Sequence, residues 1–221
     1  YAYDQLDRLQ TITDPPPFYT QSESYEYDDD SNLTRVTDRR GNVTEYRHTN
    51  RNLLKAMKRM PGAPDEAYRI DYGYNPNRNQ TSQTIWRADQ YGIWQPHTTS
   101  IQYTPRNQPE VVTDPLNRTT RTVYDDNGNV TDVTDPADMV TKATYDTWNR
   151  KKSTTRDYGA GRLNLASLIT YDAAGNIRTN TDAEQKVTTY TYDDLHRLKT
   201  IISPLGQLIE YTYDANGNRR F

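Results

Sequence analysis

Residues 124–144 read YDDNGNVTDVTDPADMVTKAT, and this string contains the whole pattern on which the chain is built. It begins with Tyr124, and Asp125, Gly128 and Asn129 follow in the cluster DDNGN. Asn-Gly supplies the positive φ angles that tight hairpin turns require, and an Asp side chain accepts hydrogen bonds from the backbone amides that follow it. The cluster therefore predicts a turn directly after the tyrosine.

A second turn signal lies further along the same string, in Thr-Asp-Pro at positions 134–136. Proline fixes φ and has no backbone N–H, so a strand cannot continue through Asp135-Pro136. The runs between the two signals are rich in Val and Thr and alternate imperfectly with a period of two, which is typical of β-strands. Each unit therefore predicts two strands and two turns, an antiparallel β-hairpin.

The tyrosine that opens the unit recurs along the chain. The ten repeat tyrosines are Tyr3, Tyr27, Tyr46, Tyr74, Tyr103, Tyr124, Tyr145, Tyr171, Tyr192 and Tyr213. Asp follows most of them, and four of the nine intervals are 21 residues long. Most of the remaining intervals are longer, with insertions at 15–17, 61–65, 88–92 and 156–162. The spacing predicts one continuous array of about ten repeats over residues 1–221.

The most regular copies of the signature lie in the second half of the chain, where YDAAGNI (171–177) and YDANGNR (213–219) repeat the first turn. We expect a small set of residues to form the structural signature of the repeat. They are Tyr124, Asp125, Gly128, Asn129, Asp135, Pro136, Tyr171, Asp172, Gly175, Asn176, Tyr192, Asp193, Tyr213, Asp214, Gly217 and Asn218.

The composition excludes several classes of protein. Hydrophobic residues make up 33% of the chain and the mean hydropathy is −1.09, whereas an ordinary globular domain is about 45–50% apolar with glycine counted. The 19 tyrosines and a net charge of only −3 favour ordered β-structure over disorder. No basic excess indicates a nucleic-acid partner, no apolar run could span a bilayer, and the absence of cysteine excludes disulfides and thiolate metal sites.

The pattern predicts an all-β fold. Only residues 53–57, LLKAM, look helical, and that run is short. In a stack of hairpins one tyrosine per repeat falls at the same height, so we expect the rings to pack on one another in a ladder, with each hydroxyl reaching solvent or a turn carboxylate.

No enzyme or cofactor signature is present, and we predict neither a catalytic site nor a bound cofactor or metal. The acidic run at 28–30 invites a calcium interpretation, but Leu33 and Arg39 stand where an EF-hand loop needs Gly and Glu. A hairpin turn explains the run better. The three histidines, His48, His97 and His196, share no metal-binding spacing.

The three tryptophans leave two interpretations open. Trp86, Trp94 and Trp148 could form a sugar-binding platform, because aromatic rings stack on pyranose faces. We favour packing in the irregular places between repeats, where loops fold back.

The motif Tyr-Asp-x-x-Gly-Asn followed by Thr-Asp-Pro at this spacing resembles the Rhs/YD repeat. That family includes bacterial Rhs polymorphic toxins, the cocoon-forming subunits of insecticidal toxin complexes and teneurin-like shells, and the resemblance extends over essentially the whole chain. It implies tandem antiparallel β-hairpin (YD) repeats forming a curved, solenoid-like sheet that is a segment of a hollow β-shell. Family members also carry an autoproteolytic core with Asp-Pro-x-Gly motifs. Here Asp114-Pro115 and Asp135-Pro136 lack that glycine, so no cleavage residues are carried over, and we expect neither a separate toxin domain nor a core protease domain within residues 1–221.

The resemblance implies a structural role in a secreted or cell-surface protein, exported by a bacterial delivery system. The shell would sequester a C-terminal toxic cargo. Expected partners are the remainder of the Rhs-like polypeptide, that cargo, and a secretion-system spike or toxin-complex subunit. The alternative is a surface adhesion or carbohydrate-binding array. About twenty strands make a strip of roughly 95 by 20 Å, which is too small to close around a toxin, so we expect this chain to be one piece of a wall.

Overall fold

The computed structural model describes residues 1–13, 22–60, 68–89 and 91–220. Within these ranges the chain contains strands and turns and no helix, so the all-β prediction is confirmed. The chain divides into two compact units, Tyr1–Arg118 and Thr119–Phe221. The predicted insertions at 15–17 and 61–65 lie outside the described residues, as does Gln90 of the insertion at 88–92.

Unit 1 is a single antiparallel sheet in which each strand pairs with the next one along the chain. Its strands are β1 (Ala2–Tyr3), β2 (Leu9–Thr13), β3 (Ser22–Tyr27), β4 (Leu33–Thr37), β5 (Val43–His48), β6 (Leu54–Met60), β7 (Tyr68–Tyr74), β8 (Gln80–Ala88), β9 (Trp94–Tyr103) and β10 (Pro109–Thr113). Strands β8 and β9 are the longest, at 9 and 10 residues.

Unit 2 follows the same topology with shorter strands. Its strands are β11 (Thr119–Tyr124), β12 (Val130–Thr134), β13 (Val140–Tyr145), β14 (Lys151–Arg156), β15 (Leu165–Tyr171), β16 (Ile177–Thr181), β17 (Val187–Tyr192), β18 (Leu198–Ile202), β19 (Leu208–Glu210), β20 (Thr212–Tyr213) and β21 (Arg219–Arg220). The last two form a separate two-stranded hairpin. Tandem antiparallel hairpins therefore build both units.

The short helical-looking run was misread. Leu54 to Met57 belong to β6, which pairs with β5 on one side and β7 on the other. Leu, Lys, Ala and Met are good helix formers, but intrinsic propensity is weak and ladders on both sides override it.

Most of the hairpin turns among the described residues share one backbone geometry, and the longer loop at 157–164 differs. In the turn at 125–129 the amide of Asp125 donates to the carbonyl of Asn129 and the amide of Gly128 donates to the carbonyl of Asp125, at 2.9 and 3.1 Å. The fourth residue has positive φ, as at Gly128 (φ 86). This is a three-residue hairpin loop, a type I turn followed by a left-handed residue that makes a bulge. The ladder shifts register beside it, between Val123 and Tyr124.

Neither unit has a packed core. Among the described residues only Val111 is buried, at 8% exposure, and no polar or charged residue is buried. Most strand residues are half-exposed on both faces. Each unit is therefore a single-layer sheet, and its stability rests on hydrogen-bonded ladders, cross-strand side-chain pairs and turns rather than on a dry interior.

Candidate functional site

The repeated feature is the turn that follows each repeat tyrosine, which we call the YD turn. Ten such turns occur in the described residues, five in each unit, and in each the first residue exchanges backbone hydrogen bonds with the fourth and fifth. They span residues 4–8, 28–32, 49–53, 75–79, 104–108, 125–129, 146–150, 172–176, 193–197 and 214–218. The acidic run at 28–30 is part of one of them, as the hairpin interpretation predicts.

The aspartate at the first position closes the turn with its side chain. Oδ1 of Asp125 accepts hydrogen bonds from the backbone amides of Asn127 and Asn129, at 3.0 and 2.8 Å, and Oδ2 accepts one from the side-chain amide of Asn129 at 3.0 Å. The same three contacts recur at Asp172 and Asp214. Each carboxylate thus accepts hydrogen bonds from turn amides that have no partner in the strand ladder.

In the YD turns that begin with aspartate, the fifth residue is either Asn or Arg. Where it is Asn, its side-chain amide binds the aspartate. Where it is Arg, at Arg8, Arg150 and Arg197, the guanidinium forms an ion pair with that aspartate at 2.7 Å. Our sequence signature missed these arginines, although the string Tyr-Asp-x-x-x-Arg at 3–8, 145–150 and 192–197 contains the signal.

These contacts lower the carboxyl pKa values. The side-chain hydrogen bond from the fifth residue is the largest cause for Asp125, Asp172, Asp193 and Asp214. For Asp146 partial desolvation opposes the shift, and the hydrogen bonds from Arg150 and Trp148 outweigh it, so the pKa is again lowered. The ionised form of each aspartate is therefore the one that the turn stabilises.

The repeat tyrosine links its own turn to the preceding repeat. The hydroxyl of Tyr145 donates to the carbonyl of Val130 at 2.9 Å, and Val130 is the residue directly after the preceding YD turn. The corresponding bonds join Tyr27 to Leu9, Tyr74 to Leu54, Tyr103 to Gln80, Tyr171 to Lys151, Tyr192 to Ile177 and Tyr213 to Leu198, at 2.7 to 3.1 Å. Seven tyrosines therefore form a ladder of hydrogen bonds within the two units.

This ladder differs from the one we expected. The hydroxyls bind main-chain carbonyls rather than solvent or carboxylates. Successive repeat tyrosines lie two strands apart, roughly 9.6 Å, and rings stack directly only at about 4.5–7 Å. Arginine covers several rings instead: Arg8 lies 4.7 Å from the Tyr27 ring, Arg150 4.2 Å from Tyr171 and Arg197 4.3 Å from Tyr213. The fifth-position arginine thus binds its own turn and the next repeat.

One repeat position needs correction. The turn at 49–53 follows His48, so His48 and not Tyr46 occupies the place of the repeat tyrosine. Tyr46 lies two residues earlier, so its side chain points to the same face of the strand as His48. It therefore resembled the tyrosine of the repeat signature. The His48 Nδ1 atom is buried without a hydrogen-bond partner, so the hydroxyl ladder is interrupted here.

Neighbouring YD turns also contact one another. The side-chain amides of Asn77 and Asn79 both donate to Oδ1 of Asn107 at 2.8 Å. In unit 2, Asn127 and Asn129 bind Asn149 in the same way, at 3.0 and 3.2 Å. The turns along this margin are therefore joined to each other as well as to their own strands.

Turns at the opposite margin of the sheet are also closed by backbone amides that donate to an aspartate side chain. Oδ1 of Asp135 accepts from the amides of Ala137 and Met139, at 2.8 and 3.0 Å, and Pro136 takes the second position of this turn. A type I turn favours proline there, because its fixed φ matches the turn.

Within the described ranges no group of three or more His, Asp or Glu side chains is arranged to hold a metal. Nor does the described part of the chain include a helix that could cross a membrane.

The tryptophans do not fill gaps between repeats as we expected. Trp86 lies in β8 and donates its indole N–H to Oδ2 of Asp71 at 2.7 Å. Trp94 lies in β9 and is 38% exposed, while Trp148 projects from the third position of a YD turn and is 75% exposed. Two of the three rings therefore have free surface.

Comparison with known proteins places these observations in a family. The model of the RHS Repeat matches residues 27–59, 124–163, 171–208 and 193–220, which together cover more than half of the chain. No curated protein sequence matches the chain.

Two solved structures share the fold. A crystal structure of TcdB2-TccC3-Cdc42 superposes with a TM-score of 0.62 at 14% identity, covering 90% of this chain and 11% of that chain. A TccC3 mutant of the Photorhabdus luminescens Tc holotoxin pore gives a TM-score of 0.60, with the same identity and coverage. This chain thus spans about a tenth of the length of these structures, and at this identity the likeness concerns the fold.

Proposed function

Because the chain belongs to the RHS repeat family, we propose that it is a length of wall in a β-shell that encloses a C-terminal toxic cargo. Its role is a steric barrier and includes no chemical step. The protein is exported by a bacterial delivery system, and its partners are the rest of the Rhs-like polypeptide, the cargo, and a spike or toxin-complex subunit.

The observation that carries this proposal is a sheet that holds together without a core. Among the described residues one side chain is buried, yet tyrosine hydroxyls connect successive hairpins in both units. Aspartate carboxylates close individual turns in both units as well. A layer stabilised in this way has two free faces, as a wall needs, whereas a packed domain leaves one face of each sheet covered.

Hydroxyl pairs across the strands make part of the surface of unit 2 polar, beside exposed apolar side chains such as Leu168 and Ile202. Exposed hydroxyl pairs cross its strands at Thr144–Ser153, Thr170–Thr179 and Thr191–Thr200, with oxygen distances of 2.5 to 2.6 Å. Such pairs satisfy each other across the ladder and offer little apolar surface.

Protease protection tests the proposal. In the polypeptide that contains these repeats, we expect the segment following them to resist proteolysis while the wall is intact. The variant Asp125→Ala/Asp172→Ala/Asp214→Ala removes three turn locks, so that segment should be digested several times faster, as followed by gel electrophoresis and mass spectrometry.

A matched control removes the same number of carboxylates. Asp29→Ala/Asp30→Ala/Asp194→Ala changes second and third turn positions, whose side chains accept no hydrogen bonds in the described structure. This variant should protect the segment as the unmodified protein does. A segment that is digested equally fast in all three proteins would contradict enclosure.

A further inference from the structure

One face of unit 1 carries a row of charged and aromatic side chains. Directly opposite pairs across the ladder run from Glu45 to Lys58, from Lys58 to Arg69 and from Arg69 to Trp86. Residues directly opposite each other in a sheet point to the same face, so this row lies on one surface. Trp94 is on the same face, since Ala88 pairs with Trp94 and lies two residues after Trp86.

Two adjoining depressions lie along this row. The larger, about 330 Å³, is lined by Lys58, Arg69, Trp86 and Trp94. The smaller, about 150 Å³, is lined by Glu45, Arg47 and Ala56, and shares Lys58 and Arg69 with the first. The shared residues make the two depressions one groove, with indole rings at one end and charged groups at the other.

The aromatic end is held in position. The Trp86 indole N–H donates to Oδ2 of Asp71, and the Nε atom of Arg69 donates to Oδ1 of the same carboxylate at 2.9 Å. The guanidinium also lies 5.9 Å from the Trp86 ring, within cation–π range. These contacts hold the polar edge of the indole and place Arg69 over one of its two faces, while the Trp86 side chain stays partly exposed to a ligand on the other side.

The charged end has unused binding capacity. Arg47 and Lys58 are exposed and form no ion pair within 4 Å in the described structure. Glu45 lies between Arg35 and Lys58 across the ladder, and among the described residues it forms no ion pair within 4 Å. A ligand for this end would therefore need an anionic group for the two cations and hydroxyl donors for Glu45.

We propose that this groove binds a carboxylated sugar, a uronic-acid unit of an acidic glycan. The pyranose ring would lie on the faces of Trp86 and Trp94, the carboxylate would meet Lys58 and Arg47, and the hydroxyls would donate to Glu45. This site goes beyond the proposed wall function and does not depend on it.

The competing ligand is an acidic peptide, and the structure disfavours it. Strands β6 to β9 are paired on both sides, so a peptide cannot add to the sheet as an extra strand. Only side-chain contacts would remain, and the carboxylates of an acidic peptide have no hydroxyl to donate to Glu45. An acidic sugar uses Glu45 as a hydrogen-bond acceptor.

The test is titration calorimetry of the chain with three probes: a uronic-acid oligosaccharide, a neutral gluco-oligosaccharide of equal length and a polyglutamate peptide. We expect the uronic-acid probe to bind with the highest affinity. Trp94→Ala and Lys58→Gln should each weaken its binding by about tenfold or more, since each removes one of the two principal contacts.

Trp148→Ala is the matched control, because Trp148 is also an exposed tryptophan but lies in unit 2. It should leave the affinity unchanged. Equal binding of the neutral probe would overturn the carboxylate assignment, and tighter binding of polyglutamate would replace the sugar by a peptide. Absence of uronic-acid binding, or an equal loss in Trp148→Ala, would overturn the site. None of these outcomes bears on protease protection.

Discussion

The two units form the same kind of antiparallel sheet but stabilise their hairpins with different interactions. In unit 2 all five YD turns begin with aspartate, at Asp125, Asp146, Asp172, Asp193 and Asp214. In unit 1 only the first two do, and the other three begin with Thr49, Asn75 and Thr104.

The threonine hydroxyls at the first turn position accept longer hydrogen bonds than the aspartate carboxylates do. Thr49 Oγ1 accepts from the amides of Arg51 and Leu53 at 3.2 Å, whereas the corresponding distances at Asp125 are 3.0 and 2.8 Å. Unit 1 compensates for its weaker turns with longer strand pairing. Strands β7 and β8 of unit 1 pair over seven positions, while β17 and β18 of unit 2 pair over four. A coreless hairpin array can therefore be stabilised by turn carboxylates or by longer strands.

Acid should weaken the turns that are closed by aspartate and leave the turns that begin with Thr or Asn intact, and this is the largest effect we expect. An aspartate in the unfolded chain titrates near pH 3.9, and the YD-turn aspartates of unit 2 have lowered pKa values when folded. Their stabilisation is present above about pH 4 and is lost as the pH falls through the lower folded values, since the unfolded chain then binds more protons.

Hydrogen exchange measures the acid effect turn by turn. Between about pH 5 and pH 3, with exchange corrected for its intrinsic rate, protection should fall at all five YD turns of unit 2. In unit 1 it should fall at residues 4–8 and 28–32 but persist at 49–53, 75–79 and 104–108. The three neutral turns are the internal control, and a uniform loss across both units would contradict the distinction.

The fourth turn position gives the next largest effect. In unit 2 it is glycine in three of five YD turns, including Gly175 at φ +92, whereas unit 1 has no glycine there and holds Arg78 at φ +68. The variant Gly175→Val forces a β-branched residue into the left-handed region and should lower the free energy of unfolding by about 1–3 kcal/mol. Urea titration followed by Trp148 fluorescence, in a Trp86→Phe/Trp94→Phe background, measures the change in unit 2.

Ala174→Val is the control for this substitution, because the third turn position has ordinary φ and should tolerate valine. The reverse change in unit 1, Arg78→Gly, should stabilise the chain by a smaller amount, since glycine also raises the entropy of the unfolded state. If Gly175→Val and Ala174→Val were equally stable, strain at the fourth position would not be the cause.

The comparison also explains which features could be predicted from sequence. The turns are local. Asp125 and Gly128 determine the conformation of the five-residue turn to which they belong, so that turn could be predicted from the string DDNGN. The acceptor of each tyrosine hydroxyl lies 15 to 23 residues earlier, and Trp86 meets Asp71 15 residues away. Such partners depend on strand register, which local pattern does not fix.

Two of the errors lie in unit 1 and have the same physical reason. His48 replaces the repeat tyrosine while Tyr46 lies on the same side of the strand, so alternation alone favoured the wrong residue. Residues 53–57 looked helical by propensity, and pairing on both edges made them part of a strand. Departures from the repeat are where neighbouring strands, rather than the local sequence, determine the structure.

The smallest effect concerns the hydroxyl ladder itself. Tyr145→Phe removes the bond to the Val130 carbonyl and keeps the ring, so the free energy of unfolding should fall by about 0.5–1.5 kcal/mol. Tyr158→Phe is the control in the same unit, because its ring contacts Lys142 at 4.8 Å and its hydroxyl forms no hydrogen bond in the described structure. The urea assay should show a shift for Tyr145→Phe alone. At the corresponding place in unit 1, His48 has no hydroxyl to lose, so His48→Phe should cost less than Tyr145→Phe when the unfolding of unit 1 is followed by Trp86 and Trp94 fluorescence in a Trp148→Phe background. An equal cost would mean that the ring, and not the hydroxyl, joins the repeats.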